Sequence, residues 1–105
     1  MINKDAILQS IKKSVHATDP DAVVILYGSY ARGDYDEESD IDILVLIDVE
    51  KIAREDRIRI GHPLHDIELK EHIVISPMIR PKAVWATEYP ITSLYKNISS
   101  EGVRL

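Results

Sequence analysis

The sequence has 105 residues, of which 45% are hydrophobic and 30% are charged, with a formal net charge of −5 and no cysteine. This composition is typical of a globular protein, and it excludes disulfides, thiolate metal sites and cysteine nucleophiles. The negative charge argues against a nucleic-acid backbone as the main partner, whereas a small anionic ligand is still compatible, because local donors or a metal can outweigh net charge.

The chain contains no apolar run near the roughly 20 residues that a membrane-spanning helix needs. Its first residues, MINKDAILQSIKK, lack the uncharged apolar core of a secretory signal. We therefore expect residues 1–105 to form a single cytoplasmic domain.

The first elements follow from hydrophobic spacing. Apolar residues recur at helical intervals near the start of the chain and predict an amphipathic helix that ends before Pro20: Ile7, Leu8, Ile11 and Val15. Residues 22–28, AVVILYG, form a short β-branched run that predicts a strand buried on both faces. A short helix beginning at Ser29 and an acidic loop follow.

The middle of the chain predicts a strand, a helix and another strand. The run DIDILVLIDV predicts the second strand. Residues 50–71 combine apolar positions with many charges, which predicts an exposed helix interrupted near Gly61 and Pro63. The run HIVISPMI predicts a third strand, stopped or bent by Pro77.

The C-terminal residues ITSLYKNISSEGVRL predict a final helix. Leu94, Tyr95 and Ile98 share one helical face, and Gly102 is placed as a helix stop. The alternation of helices and strands favours a small α/β (α+β) fold with helices packed on a sheet.

Two short polar motifs follow the first strand and begin the second. Gly28 allows close approach of the backbone to a ligand, and Ser29 offers a hydroxyl and free N–H groups, so that the pair predicts a cradle for phosphate oxygens. Asp40 and Asp42 point to one face because side chains alternate along a strand. Such a carboxylate pair suits Mg²⁺, which binds commonly through one or two carboxylates plus substrate phosphates.

This arrangement resembles the minimal nucleotidyltransferases of the DNA polymerase beta superfamily. Their signature is Gly-Ser, ten residues and Asp-x-Asp, and here residues 30–39 separate Gly28-Ser29 from Asp40-Ile41-Asp42. The resemblance implies a polymerase beta-like fold with a small mixed sheet and flanking helices. It also implies that Gly28 and Ser29 bind the nucleotide, and that Asp40 and Asp42 are catalytic and bind two Mg²⁺ ions.

The resemblance also implies a third carboxylate on the third strand, and the sequence does not supply it plainly. Spacing before the apolar run places His72 at this position, with Glu71 beside it and Glu68 slightly upstream. Adjacent residues of a strand face opposite ways, so Glu71 substitutes for His72 only if the strand starts later or its register shifts.

Other polar and aromatic residues have competing interpretations. Arg32 either contacts phosphate or forms an ion pair with nearby carboxylates, and the latter is favoured. His62 and His65 suggest a metal site, but Pro63 disturbs their spacing and surface histidines are favoured. Tyr27 and Tyr30 either stack on a base or pack in the core, which is favoured.

Two functions remain open from the sequence. In the first, the protein transfers a nucleoside monophosphate, AMP, from a Mg²⁺-bound nucleoside triphosphate, ATP, to a hydroxyl. In the second, it is a catalytically impaired binding module, such as an antitoxin that masks its partner. Because small family members often act beside a helical HEPN-type toxin, the resemblance implies a protein partner under both hypotheses. From hydropathy and charge we expect neither a membrane nor a nucleic acid as partner.

Overall fold

The computed structural model describes residues 3–105, which form a mixed four-stranded sheet covered by helices. The helices are α1 Lys4–Thr18, α2 Ser29–Arg32, α3 Arg54–Glu71, α4 Lys82–Glu88 and α5 Ser93–Glu101. The strands are β1 Val23–Tyr27, β2 Ile41–Ile47, β3 Ile75–Pro81 and β4 Val103–Arg104. The predicted α/β class with a small mixed sheet and flanking helices is thus confirmed.

The strand order is β3-β2-β1-β4. Strand β1 pairs antiparallel with β2 and with β4, whereas β2 and β3 run parallel. The end of β1 and the starts of β2 and β3 therefore lie at the same end of the sheet. This end carries the Gly-Ser and Asp-x-Asp motifs.

Helices cover both faces of the sheet. On one face, α1 and α3 pack against β1, β2 and β3 through a core that includes Ile11, Ile43 and Ile60. On the other face, Trp85 of α4 and Ile98 of α5 pack against Leu44 and Leu46. Strand β1 is covered on both sides, although its residues alternate between buried and partly buried.

Two predicted helices have the expected positions. Helix α1 begins after Asn3, whose side chain accepts a hydrogen bond from the Ala6 N–H, and it ends before Pro20. Helix α5 ends where Gly102 donates its N–H to the Ile98 carbonyl, as predicted for a helix stop. Within residues 3–105, no helix is both long and apolar enough to cross a membrane.

The predicted interruption of the third helix is wrong. Helix α3 runs through Gly61 and Pro63 to Glu71. The buried side chains of Ile60 and Leu64 flank the proline on the core side of the helix. Their burial stabilises the helix across the position where Pro63 removes a backbone donor.

The sequence did not predict α4 or β4. Helix α4 has seven residues and buries only Trp85, so it carries little helical periodicity. Strand β4 has two residues, and both its side chains are exposed. Its position depends on pairing with β1, a contact between distant parts of the chain.

Candidate functional site

The two aspartates lie at the end of the sheet where β2 begins. Asp40 is exposed and immediately precedes the strand, while Asp42 is half-buried within it. Asp42 is paired with Tyr27 of β1 and with Ser76 of β3. Asp40 and Asp42 thus share one face of the sheet, as the alternation of strand side chains requires.

Gly28 lies directly against the Asp42 side chain. Its backbone dihedral angles, φ 75° and ψ −156°, fall in a region that is essentially restricted to glycine. A Cβ atom at this position would collide with the Asp42 carboxylate. Glycine is therefore required here both by the backbone conformation and by the lack of space.

Ser29 begins α2 immediately after this glycine. The Gly28 carbonyl accepts the N–H groups of Ala31 and Arg32, and the Ser29 carbonyl accepts that of Gly33. This leaves the N–H groups of Ser29 and Tyr30, at the start of the helix, without an acceptor within it. Gly28 and Ser29 thus bring backbone donors close to the two aspartates.

The electrostatics of Asp42 are unfavourable in the protein without a cation. Burial raises the pKa of the Asp42 carboxyl above its ordinary value, and the nearby Asp40 carboxylate raises it further. The Arg32 guanidinium opposes this shift, and the Glu101 carboxylate adds to it. A cation bound between Asp40 and Asp42 would relieve their repulsion.

Glu101, at the end of α5, also reaches this site. Its carboxylate accepts a hydrogen bond of 3.2 Å from the Gly28 N–H and two of 3.2–3.3 Å from Nη1 of Arg32. Arg32 also donates to Asp34 at 3.2 Å. The favoured prediction for Arg32, an ion pair with nearby carboxylates, is confirmed.

The structure corrects the position proposed for a third carboxylate. His72 does not lie on β3: it ends α3 in the left-handed conformation, with φ 55°. Glu71 is exposed at the end of the helix, and Glu68 accepts the Ile75 N–H at 2.8 Å. The strand therefore starts later than the sequence indicated, at Ile75.

The residue of β3 beside the two aspartates is Ser76. It is paired with Asp42 across the parallel strands, and its hydroxyl donates to Asp40 at 3.3 Å. A serine hydroxyl is a neutral oxygen ligand at best, so β3 adds no negative charge to the Asp pair.

The remaining predictions concern aromatic residues and histidines. Tyr30 is buried and its ring stacks on Tyr35 at 4.1 Å, as core packing predicts. Tyr27 is half-buried, and burial, followed by the Asp42 charge, raises the pKa of its hydroxyl. His65 contacts Glu68 at 3.1 Å, and across residues 3–105 no three His, Asp or Glu side chains form a metal-binding group.

The donors present nevertheless fit a divalent ion that is shared with a substrate. Asp40 and Asp42 supply two carboxylates on one face, and the Gly28–Ser29 turn lies against Asp42. Mg²⁺ commonly takes one or two protein carboxylates and completes its shell with phosphate oxygens and water. The site is thus suited to a metal–triphosphate complex.

Comparison with known proteins agrees with this fold. The family model described as "Nucleotidyltransferase domain" matches residues 8–104. The chain belongs to this nucleotidyltransferase family.

Two similar proteins come from Methanocaldococcus jannaschii. The chain is 41% identical over 80 residues to the protein named "Putative protein adenylyltransferase MJ0141", which covers 74% of this chain and 80% of that protein. A second relative, named "Putative protein adenylyltransferase MJ0604", is 74% identical over 27 residues. This match covers 26% of this chain and 27% of that protein.

Two solved structures share the fold. A toxin–antitoxin crystal structure with AMP-PNP superposes with a TM-score of 0.65 at 19% identity, covering 98% of this chain and 72% of that one. A crystal structure of a mutant of the toxin–antitoxin pair MntA–HpeT superposes with a TM-score of 0.60 at 18% identity. The superposition covers 100% of this chain and 72% of that one.

Proposed function

We propose that the protein transfers AMP from Mg²⁺-bound ATP to a hydroxyl group of a partner protein. The observation that carries this proposal is the direct contact between the Gly28 turn and the Asp42 carboxylate, with Asp40 on the same face. The description of its relatives as adenylyltransferases supports AMP as the transferred group.

In this proposal each motif has one task. Gly28 lets the triphosphate approach the backbone closely, and Ser29 holds it through its backbone N–H and its hydroxyl. Asp40 and Asp42 hold Mg²⁺. The sequence resemblance implies a two-metal mechanism, so two Mg²⁺ ions are required. Bound Mg²⁺ would supply neutralisation of the triphosphate charge and activation of the attacking hydroxyl.

Calorimetry with AMP-PNP tests the binding half of this proposal. Without a cation, the two aspartates repel a triphosphate, so binding should be strong with Mg²⁺ and lost in EDTA. Asp42→Asn should abolish the Mg²⁺-dependent binding, whereas Asp66→Asn on the exposed part of α3 should not alter it. Equal affinity in Mg²⁺ and in EDTA would contradict the proposal.

Ser76 favours a second candidate function, a catalytically impaired binding module that acts by forming a complex. The sequence resemblance implies a carboxylate on β3, and β3 instead brings a neutral hydroxyl to Asp40. A site with less negative charge holds two divalent ions less well, so nucleotide binding can persist while transfer is slow.

Ser76→Asp distinguishes the two functions. If the wild-type protein labels a helical toxin partner with AMP from α-labelled ATP, the enzyme proposal is supported. If the wild type transfers nothing and Ser76→Asp gains transfer, the protein is an impaired module. His72→Asp serves as the control, because His72 lies at the end of α3 and should restore nothing.

The proposed partner is a helical toxin of HEPN type. Its support is that the two similar structures described above are toxin–antitoxin structures. The exposure of Asp40 is consistent with an acceptor that approaches the site from outside. Labelling that occurs without any added partner would contradict this part of the proposal.

A further inference from the structure

Glu101 links the C-terminal segment to the candidate nucleotide site. Its carboxylate accepts from the Gly28 N–H and from the Arg32 guanidinium at the same time. The Gly28–Glu101 bond joins residues 73 positions apart in the sequence. Gly28 belongs to the turn that we propose holds the triphosphate, and Arg32 ends the short helix that follows this turn.

The fold determines the position of Glu101. Gly102 has no room for a side chain, because a Cβ atom would meet the Ile98 carbonyl and Ile25 of β1. The chain then pairs with β1, where Val103 lies opposite Leu26, and the Leu105 N–H binds the Val24 carbonyl. The end of α5 is therefore held beside the end of β1, next to Gly28.

The two side chains of this ion pair differ in burial. The Glu101 side chain is 23% exposed, whereas the Arg32 side chain is 46% exposed. Arg32 ends a helix of only four residues. A long side chain on so short a helix would sample many rotamers unless an acceptor fixed it.

We propose that Glu101 is a positioning residue for nucleotide binding: it holds Arg32 and the Gly28 turn in the orientation that receives the triphosphate. This inference rests on the proposed function. Glu101 acts through Arg32 and Gly28 and does not itself touch the nucleotide.

The test is a double-mutant cycle measured as the Kd of AMP-PNP with Mg²⁺. Arg32→Ala and Glu101→Ala should each raise Kd about tenfold, the scale of one charge-assisted hydrogen bond. Because Glu101 acts partly through Arg32, the double variant should raise Kd by less than the product of the two single effects. Glu101→Gln keeps an acceptor oxygen and should fall between wild type and Glu101→Ala.

A matched control lies at the other end of β2. Asp48 forms an exposed ion pair of 3.1 Å with Lys82, and Asp48→Asn should leave Kd unchanged. Thermal unfolding of each variant identifies any that fail to fold. If Glu101→Ala does not fold, the cycle is completed with Glu101→Gln.

The outcomes separate this inference from the proposed function. If the wild type binds AMP-PNP with Mg²⁺ but Glu101→Ala and Glu101→Gln leave Kd unchanged or lower it, the inference is overturned and the proposed function stands. Additive effects of Arg32→Ala and Glu101→Ala also overturn it. If the wild type binds no nucleotide, both proposals fail.

Discussion

Gly28 is the residue where backbone conformation and site geometry depend most directly on each other. Its dihedral angles exclude other residues, and the Asp42 carboxylate occupies the direction in which a Cβ atom would project. Gly33 offers a comparison at the other end of α2, because it also has a positive φ, 87°. A Cβ atom on Gly33 would meet open space, with no atom of residues 3–105 beyond its chain neighbours within 4 Å.

Alanine at these two glycines should therefore have different costs. Gly33→Ala should lower the free energy of unfolding by about 1 kcal/mol, the cost of a left-handed conformation. Gly28→Ala should cost a further 1–3 kcal/mol or so because it also overpacks the turn, and it should remove Mg²⁺-dependent AMP-PNP binding. Chemical denaturation and calorimetry measure both effects. Equal losses of stability in the two variants would contradict the account of Gly28.

Asp42, in contrast, is a residue whose ionised side chain lowers the stability of the folded protein. Its pKa is raised by burial and then by Asp40, so the native state binds the Asp42 proton more tightly than the unfolded state does. Protein stability therefore falls as pH rises through the unfolded and then the folded pKa of Asp42, and this group causes no further loss above the folded pKa.

Asp42→Asn should accordingly raise Tm by a few degrees at pH 7 in the absence of metal. The gain should vanish as pH falls well below about 3.9, the ordinary pKa of aspartate, because Asp42 is then protonated in both states. Asp66→Asn, at an exposed position of α3, is the control for removal of a charge. A lower Tm for Asp42→Asn at pH 7 would show that the carboxylate is structural.

At the scale of the element, α3 shows where local sequence rules gave a wrong prediction. Pro63 predicts a break, but the helix is continuous because Ile60 and Leu64 are buried on the same side of it. Tertiary packing outweighs the local cost of the proline.

Pro63→Ala should therefore stabilise the protein. Alanine restores an N–H donor and removes the clash of the ring with the preceding turn, while the gain is reduced because the unfolded chain becomes more flexible. We expect a net increase of about 1–2 kcal/mol in the free energy of unfolding, measured by chemical denaturation. A decrease in the free energy of unfolding would mean that the proline ring itself packs favourably and that Pro63 does not destabilise the helix.

Strand β3 shows a second limit of local patterns. The apolar run from Ile73 predicts an early strand start, yet the Ile73 N–H binds the Glu68 carbonyl and Val74 is exposed. Glu68 then accepts the Ile75 N–H, and the ladder with β2 begins there. This later start places Ser76 beside Asp40. The position of the start depends on the pairing of β3 with β2, which the local sequence does not reveal.

At the scale of the whole molecule, four distant segments meet at one end of the sheet. The sequence was sufficient to predict Gly28, Ser29, Asp40 and Asp42 as a group, because a short motif carries their spacing. It was not sufficient for Ser76 and Glu101, whose places depend on the register of β3 and on the pairing of β4 with β1. Gly102, after Glu101, predicts the end of α5, but it does not predict that Glu101 contacts Gly28.

Removal of the last three residues tests this long-range arrangement. A chain ending at Gly102 loses the pairing of β4 with β1 and the packing of Leu105, so Tm should fall and AMP-PNP binding with Mg²⁺ should weaken. Arg104→Ala keeps the backbone pairing and should behave as the wild type does. Unchanged nucleotide binding in the shortened chain would contradict a role for the C-terminal segment in the site.

The central claim is that this end of the sheet holds a metal–triphosphate complex. A crystal structure of the wild-type protein with Mg²⁺ and AMP-PNP tests it most directly. We predict the triphosphate against Gly28 and Ser29, with Mg²⁺ bound jointly by Asp40, Asp42 and phosphate oxygens. A nucleotide bound elsewhere on the protein, or one bound at this end without contact between the metal and either aspartate, would contradict the claim.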